Sequence, residues 1–139
     1  MLRIEQEELR DALTAVCELA YREGGLALVV GGCVRDSMMG LPAKDIDVEV
    51  YGVPAEVLKA DLAARFRIDL VGEAFGVIKL HHLPIDVSIP RRESKAGLGH
   101  KGFDILSDPN MTVEEAASRR DFTINAMAYD PRNDRLHDY

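Results

Sequence analysis

Four short stretches of this chain carry residues whose types and spacing suit chemistry. The first is Gly31-Gly32-Cys33-Val34-Arg35-Asp36. Two consecutive glycines let the backbone turn tightly and let a ligand approach closely. A helix opening there would present unpaired N–H groups and the positive end of its dipole, which suits an anion. Arg35, one turn in, adds a fork of donors for phosphate oxygens. The plainer alternative is a tight strand–helix turn with Arg35 resting on a surface carboxylate. The second stretch is Asp45-Ile46-Asp47. A period of two puts both carboxylates on one face of a strand, where they can share a hard divalent cation. An EF-hand loop is excluded, because Val50 stands where that loop needs Gly. A polar strand face in water is the alternative.

The third stretch is Pro84-Ile85-Asp86-Val87-Ser88-Ile89. Its apolar residues point one way, so Asp86 points the other and can bring a third carboxylate to the pair. Two-metal phosphoryl transfer uses such a cluster, and a strand-face Asp exposed to solvent is the alternative. The fourth is Arg119-Arg120-Asp121-Phe122-Thr123-Ile124-Asn125, with donors for phosphate and acceptors for sugar hydroxyls. Arginines that balance a helix dipole are the alternative there. The segment Gly97 to Gly102 fits G-x-G-x-x-G, but it follows a basic stretch and opens no helix, so the dinucleotide context is missing. His81, His82, His100 and His137 show no metal-ligand spacing with cysteine or with one another.

The elements that must position these residues are legible from periodicity. Leu9, Leu13, Val16 and Ala20 recur at helical spacing, which predicts an amphipathic helix over residues 3–23, ended by Gly24-Gly25. The run 26–30 suits a buried strand, and 33–39 a short helix stopped by Gly40 and Pro42. Residues 45–51 alternate strictly, as a half-buried strand does. A helix is expected over 54–65, opened by Pro54, with strands at 67–71, 76–81 and 84–89. Residues 90–104 are polar and Gly-rich and read as a mobile loop carrying Arg91, Arg92 and Lys95. Thr112 and Glu115 form a capping-box pattern for a helix over 112–120. A hairpin closes the chain, with strands at 124–130 and 135–139 around a turn at 131–134. Mixed strands and helices at this spacing predict a single α/β domain with a mixed sheet.

Composition is consistent with one soluble domain. The chain has 139 residues, 47% hydrophobic and 29% charged, with a net charge of −7. That balance argues against gripping nucleic acid through a broad basic face, though not against a partner approached through a metal ion or a local basic patch. Two cysteines, Cys17 and Cys33, make neither a disulfide framework nor a zinc quartet, and a reducing cytoplasm is the expected setting. The longest uncharged run, Gly24 to Val34, is too short to cross a bilayer, and no secretory signal opens the chain.

Taken together the segments resemble a known family. Gly31-Gly32-Cys33-Val34-Arg35-Asp36, followed by Gly40 and by Asp45-Ile46-Asp47, resembles the first motif of the bacterial, class II tRNA nucleotidyltransferase/poly(A) polymerase family. Gly72 to Lys79 is similar to the strand turn that follows it, and Arg92 to Phe103 to its flexible loop. Arg119 to Ala126 is similar to its second motif almost residue for residue. The resemblance covers residues 25 to 139.

It implies a polymerase-β-like nucleotidyltransferase head, a mixed sheet with flanking helices. It further implies template-independent transfer of AMP or CMP from ATP or CTP to an RNA 3′-hydroxyl, that of tRNA being the expected one, with release of pyrophosphate. By position, Asp45, Asp47 and Asp86 correspond to the catalytic Mg²⁺ ligands. Gly31, Gly32, Arg35, Asp36, Arg120, Asp121 and Asn125 correspond to nucleotide contacts. Arg91, Arg92 and Lys95 fall in the loop that can meet RNA or triphosphate. The resemblance does not separate CCA addition from poly(A) synthesis. It also implies that residues 1–139 are a head cut short at its C-terminal end, without the neck, body and tail that select the base and hold the RNA. Two other readings stand beside it: a nucleotidyltransferase acting on a non-RNA acceptor, and a non-catalytic nucleotide-binding module. Val77, where the family commonly has Thr, is a small departure.

Overall fold

The structure, a computed structural model, describes residues 2–69, 76–94, 104–107, 112 and 127–138. The apolar stripe of the first helix folds as expected, but α1 runs Glu7–Arg22 and begins later than the periodicity predicts. Residues 2–6 are neither helix nor strand, and Gln6 is extended at φ −83° and ψ 121°. Ile4 is buried, and the Arg3 carbonyl accepts a hydrogen bond from the Ala43 N–H at 2.8 Å. A buried anchor and a bond to a distant segment override the local pattern. At the other end Gly24 adopts φ 82°. Its N–H donates to the Tyr21 carbonyl, and the Gly25 N–H to that of Ala20 at 2.8 Å, so paired bonds satisfy the last carbonyls.

Strand β1 (Leu26–Val30), helix α2 (Gly32–Met38), strand β2 (Ile46–Tyr51) and helix α3 (Ala55–Arg65) follow within a residue or two of expectation. Then come β3 (Ile68–Asp69), β4 (Val77–Leu80) and β5 (Ile85–Ser88). The expected loop over 90–104 needs correction. Arg91–Ser94 is strand β6, paired antiparallel with β7, Asp104–Ser107. Arg-Arg-Glu-Ser has no apolar alternation to announce a strand; its ladder is supplied by backbone partners ten or more residues away. Arg91 and Arg92 therefore sit on a strand, while Lys95 lies outside the described residues. So does the expected helix over 112–120, apart from Thr112. The closing hairpin is present as β8 (Met127–Asp130) and β9 (Arg135–Asp138). Its turn is organised by buried Asp130, whose carboxylate accepts from the Arg132 N–H at 3.0 Å and from Asn133 Nδ2 at 2.8 Å.

Among the described residues the main sheet has seven strands in the order β3-β4-β5-β2-β1-β8-β9. Only β2 and β5 pair in parallel; the other neighbours are antiparallel. The sheet is mixed, as expected. Leu13 and Val16 of α1, Val34 of α2 and Leu58 and Leu62 of α3 share one buried cluster with Val29, Val48, Val50 and Val87. All three helices thus cover the same face. Burying each such aliphatic side chain stabilises the fold by about 1.5–3 kcal/mol. The alternate residues of β2 and β5 emerge on the opposite face, where Asp47 and Asp86 are found. No helix among the described residues is long and apolar enough to cross a membrane.

Candidate functional site

Ladder register brings the acidic residues together. Asp47 lies opposite Val30 across β1–β2 and opposite Asp86 across the parallel β2–β5 pair. Asp86 lies opposite Lys79 on β4, and Lys79 opposite Asp69 on β3. Directly paired residues project from the same face. One row therefore crosses four strands as Asp69, Lys79, Asp86 and Asp47. Asp45 stands just before β2, two residues from Asp47, and both are exposed. These groups line an open cleft of about 320 Å³, together with the turn between β4 and β5. A larger cavity of about 450 Å³ lies elsewhere, between α1 and the β8–β9 turn, and holds none of these carboxylates.

The glycine turn abuts this row. Gly31 follows Val30, the partner of Asp47, and adopts φ 84° and ψ −157°, a conformation that side chains other than glycine strongly disfavour. A Cβ there would stand 3.2 Å from Asp47 Oδ2. The bare backbone and the carboxylate are thus immediate neighbours. A Cβ on Gly32 would stand 3.2 Å from Arg35 Nη2, so the guanidinium folds back over the turn. Arg35 donates from Nε and Nη2 to Asp36 Oδ1, each at 3.3 Å. This surface carboxylate contact is the plainer alternative of the sequence, yet it leaves Arg35 exposed above the turn.

The electrostatics follow from crowding of like charge. Partial desolvation pushes the Asp47 carboxyl above its ordinary value, the charges of Asp86, Asp45 and Glu49 push it further, and Lys79 opposes them. Asp86 has a partner: Lys79 Nζ donates to its two oxygens at 3.1 and 3.2 Å. Among the described residues no three His, Cys, Asp or Glu side chains are gathered closely enough to form a metal cage as they stand. The donor set nevertheless suits a hard cation: exposed carboxylate oxygens two residues apart, with a third carboxylate in register and a raised proton affinity that a cation would relieve. Burial pushes the Cys33 thiol up to about 11, and its Sγ contacts the Val30 carbonyl at 3.5 Å.

The structure thus brings together Gly31, Gly32, Arg35, Asp36, Asp45, Asp47 and Asp86. Arg120, Asp121, Asn125 and Lys95 lie outside the described residues. Lys79 and Asp69 were missed as members of the group. A signal for Lys79 was present: Ile78 and Leu80 alternate with it, and a four-residue turn, 81–84, joins β4 to β5. Together these force Lys79 onto the face of Asp86.

Comparison with known proteins bears on this geometry. The sequence profile of the family described as "Poly A polymerase head domain" matches residues 27–139. The "Multifunctional CCA protein" of Xylella fastidiosa (strain 9a5c) is 40% identical over 111 residues, which are 79% of this chain and 25% of that protein. "Poly(A) polymerase I" of Haemophilus influenzae is 32% identical over 136 residues, 94% of this chain and 30% of that protein. A solved tRNA nucleotidyltransferase complexed with a primer tRNA and an incoming ATP analog superposes with a TM-score of 0.62 at 30% identity, covering 89% of this chain and 34% of that one. The chain spans about a quarter to a third of the length of these relatives.

Proposed function

Since the chain belongs to the poly A polymerase head domain family, we propose that it is the nucleotidyl-transfer head of a template-independent RNA nucleotidyltransferase. In this reading it moves AMP or CMP from ATP or CTP to an RNA 3′-hydroxyl, that of tRNA foremost. The relatives' names, CCA and poly(A), and the tRNA and ATP analog held by the solved relative support that class of substrate. The observation that carries the reading is the contact between the Gly31 turn and the Asp47 carboxylate, with Asp86 in register beside it.

Asp45 and Asp47 would hold Mg²⁺, with Asp86 adjacent. The chemistry Mg²⁺ supplies at such a position is neutralisation of triphosphate charge and activation of the attacking hydroxyl. The residues of the chain do the rest. Gly31 and Gly32 admit the triphosphate close to the backbone, since no Cβ intervenes. Arg35 exchanges its Asp36 contact for phosphate oxygens, and Asp36 keeps the guanidinium over the turn when nucleotide is absent. The 3′-oxygen forms a bond to the α-phosphorus, the bond from that phosphorus to the pyrophosphate oxygen breaks, and the hydroxyl proton leaves to solvent. By resemblance, Arg120 reaches the nucleotide, Asp121 and Asn125 its ribose, and Arg91, Arg92 and Lys95 the RNA or triphosphate.

Two outcomes are expected from calorimetric titration of the chain. ATP and CTP should bind in the presence of Mg²⁺ with similar affinity, because the described groups hold phosphate and metal and none reads a base edge. Binding that is equally strong in EDTA would overturn the reading. Arg35→Ala should weaken either nucleotide by about 1.5–3 kcal/mol, the range for a hydrogen bond to a charged group. Parental affinity in that variant would remove Arg35 from the phosphate site.

A further inference from the structure

We propose that the turn between β4 and β5 is an acceptor platform: the rings of His81 and His82 stack on the base of the RNA's 3′-terminal nucleotide and hold its hydroxyl toward Asp47 and Asp86. The inference deepens the nucleotidyl-transfer reading above and rests on it. The turn, residues 81–84, walls the same cleft as Asp45, Asp47 and Asp86. Backbone bonds fasten it on both sides. The Ile46 N–H, between the two aspartates of β2, donates to the Pro84 carbonyl at 2.8 Å. The His81 N–H donates to the Arg67 carbonyl, just before β3, at 2.7 Å. Within the turn the Leu83 N–H donates to the Leu80 carbonyl at 3.2 Å. The rings are thus presented from an anchored element.

His82 adopts φ 66°, in the left-handed region, which is uncommon outside glycine. Glycine would fill that position without steric cost, yet a ring stands there. Its centroid lies 3.9 Å from that of His81, with the planes at 54°, and both residues are exposed. Exposed rings of this kind offer a surface on which any base can stack. Position assigns the acceptor to them. Strand β1, which leads into the glycine turn, flanks β2 on one side, and β5 and β4 lie on the other. With the triphosphate at the glycine turn, an oxygen attacking in line with the leaving pyrophosphate comes from the β5–β4 side. There the turn stands one to two strand spacings, about 4.8 Å each, from β2. Charge favours a grip on the base rather than on phosphate. Asp45, Asp47, Asp69 and Asp86 line the cleft against Lys79 and repel phosphate, whereas stacking does not depend on a phosphate contact.

The test uses the natural full-length protein and a tRNA lacking its terminal nucleotides. His81→Ala combined with His82→Asn removes both rings and keeps a residue that tolerates the left-handed backbone. KM for the RNA should rise at least about fivefold, the lower end of base–aromatic stacking, while calorimetric affinities for ATP and CTP in Mg²⁺ stay parental. His81→Phe, which keeps an aromatic face, should keep the parental KM. An acceptor with an abasic 3′-terminal nucleotide should give parent and double variant the same KM. In the parent, an RNA ending in 4-thiouridine should photo-crosslink to the 81–84 peptide. A parental KM in the double variant, an equal loss on the abasic acceptor, or a crosslink confined to other segments would overturn the inference. So would weakened ATP or CTP binding, which would assign the rings to the incoming nucleotide. Each of these leaves the nucleotidyl-transfer reading standing. No labelled RNA from the parent would overturn that reading and the inference with it.

Discussion

Asp47→Asn is expected to lower nucleotidyl transfer by about a thousandfold or more in the natural full-length protein, and at the same time to stabilise the fold slightly at neutral pH. The first effect follows from replacing a charged oxygen donor with a neutral amide at the end of the carboxylate row beside the glycine turn, where the proposed reaction would need transition-state charge to be met. The second follows from the direction of the Asp47 titration. Desolvation and the neighbouring Asp86, Asp45 and Glu49 raise its proton affinity in the folded state. A carboxylate raised in this way contributes stability below its unfolded value, about 3.9, and loses it as pH rises through the folded value. At pH 7 it is therefore ionised at a cost. The side chain is exposed, so solvent screening holds the gain to a fraction of a kcal/mol. Denaturant melts of parent and variant should show the variant ahead at pH 7 and the gap closing toward pH 4 and below. A variant that is less stable at pH 7 would contradict this electrostatic account, and an active one would remove Asp47 from the site.

Gly31→Ala is expected to damage fold and site together. The native backbone, φ 84° and ψ −157°, lies in a region populated almost only by glycine, and holding alanine there costs about 1–3 kcal/mol. The added Cβ would stand 3.2 Å from Asp47 Oδ2, so the carboxylate must shift away from the turn. Nucleotide affinity in Mg²⁺ should fall at least about tenfold, since a displaced ligand and a filled approach act on the same triphosphate. Gly40→Ala is the control for backbone strain alone. Its φ is 77°, but nothing lies within 4 Å of the added Cβ, so it should cost stability and spare nucleotide binding. Equal losses of binding in the two variants would assign the effect to strain rather than to the Asp47 contact.

Much of this arrangement was legible in the sequence because its central strands alternate. Ile46, Val48 and Val50 are buried and Asp47 is not, as the period of two requires. Ile85 and Val87 are likewise buried, so the face of Asp86 followed without knowing its neighbour. The glycine pair announced the turn, because no other residue adopts its geometry cheaply. What could not be read was pairing. That β2 lies parallel to β5, with Asp47 level with Asp86, depends on a crossover through α3, β3 and β4 that no local pattern encodes. Lys79 was overlooked for the same reason: a lysine on a strand face is ordinary until register sets it against Asp86. Arg91–Ser94 carries no strand pattern of its own because its strand character comes from β7, and α1 begins inside its apolar stripe because Ile4 is held by tertiary burial.

Transfer of a nucleoside monophosphate to an RNA 3′ end is the activity proposed for the Asp45–Asp47 face beside the Gly31 turn. It is tested most directly with α-³²P-labelled ATP and CTP and a tRNA lacking its terminal nucleotides, incubated with the natural full-length protein. Label should become covalently joined to the RNA, with an equivalent of pyrophosphate released, in Mg²⁺ but not in EDTA, and no labelled RNA should form with Asp45→Asn or Asp47→Asn. Label on the RNA at the parental rate from either variant, or label that the folded, Mg²⁺-loaded parent places on protein and never on RNA, would contradict it.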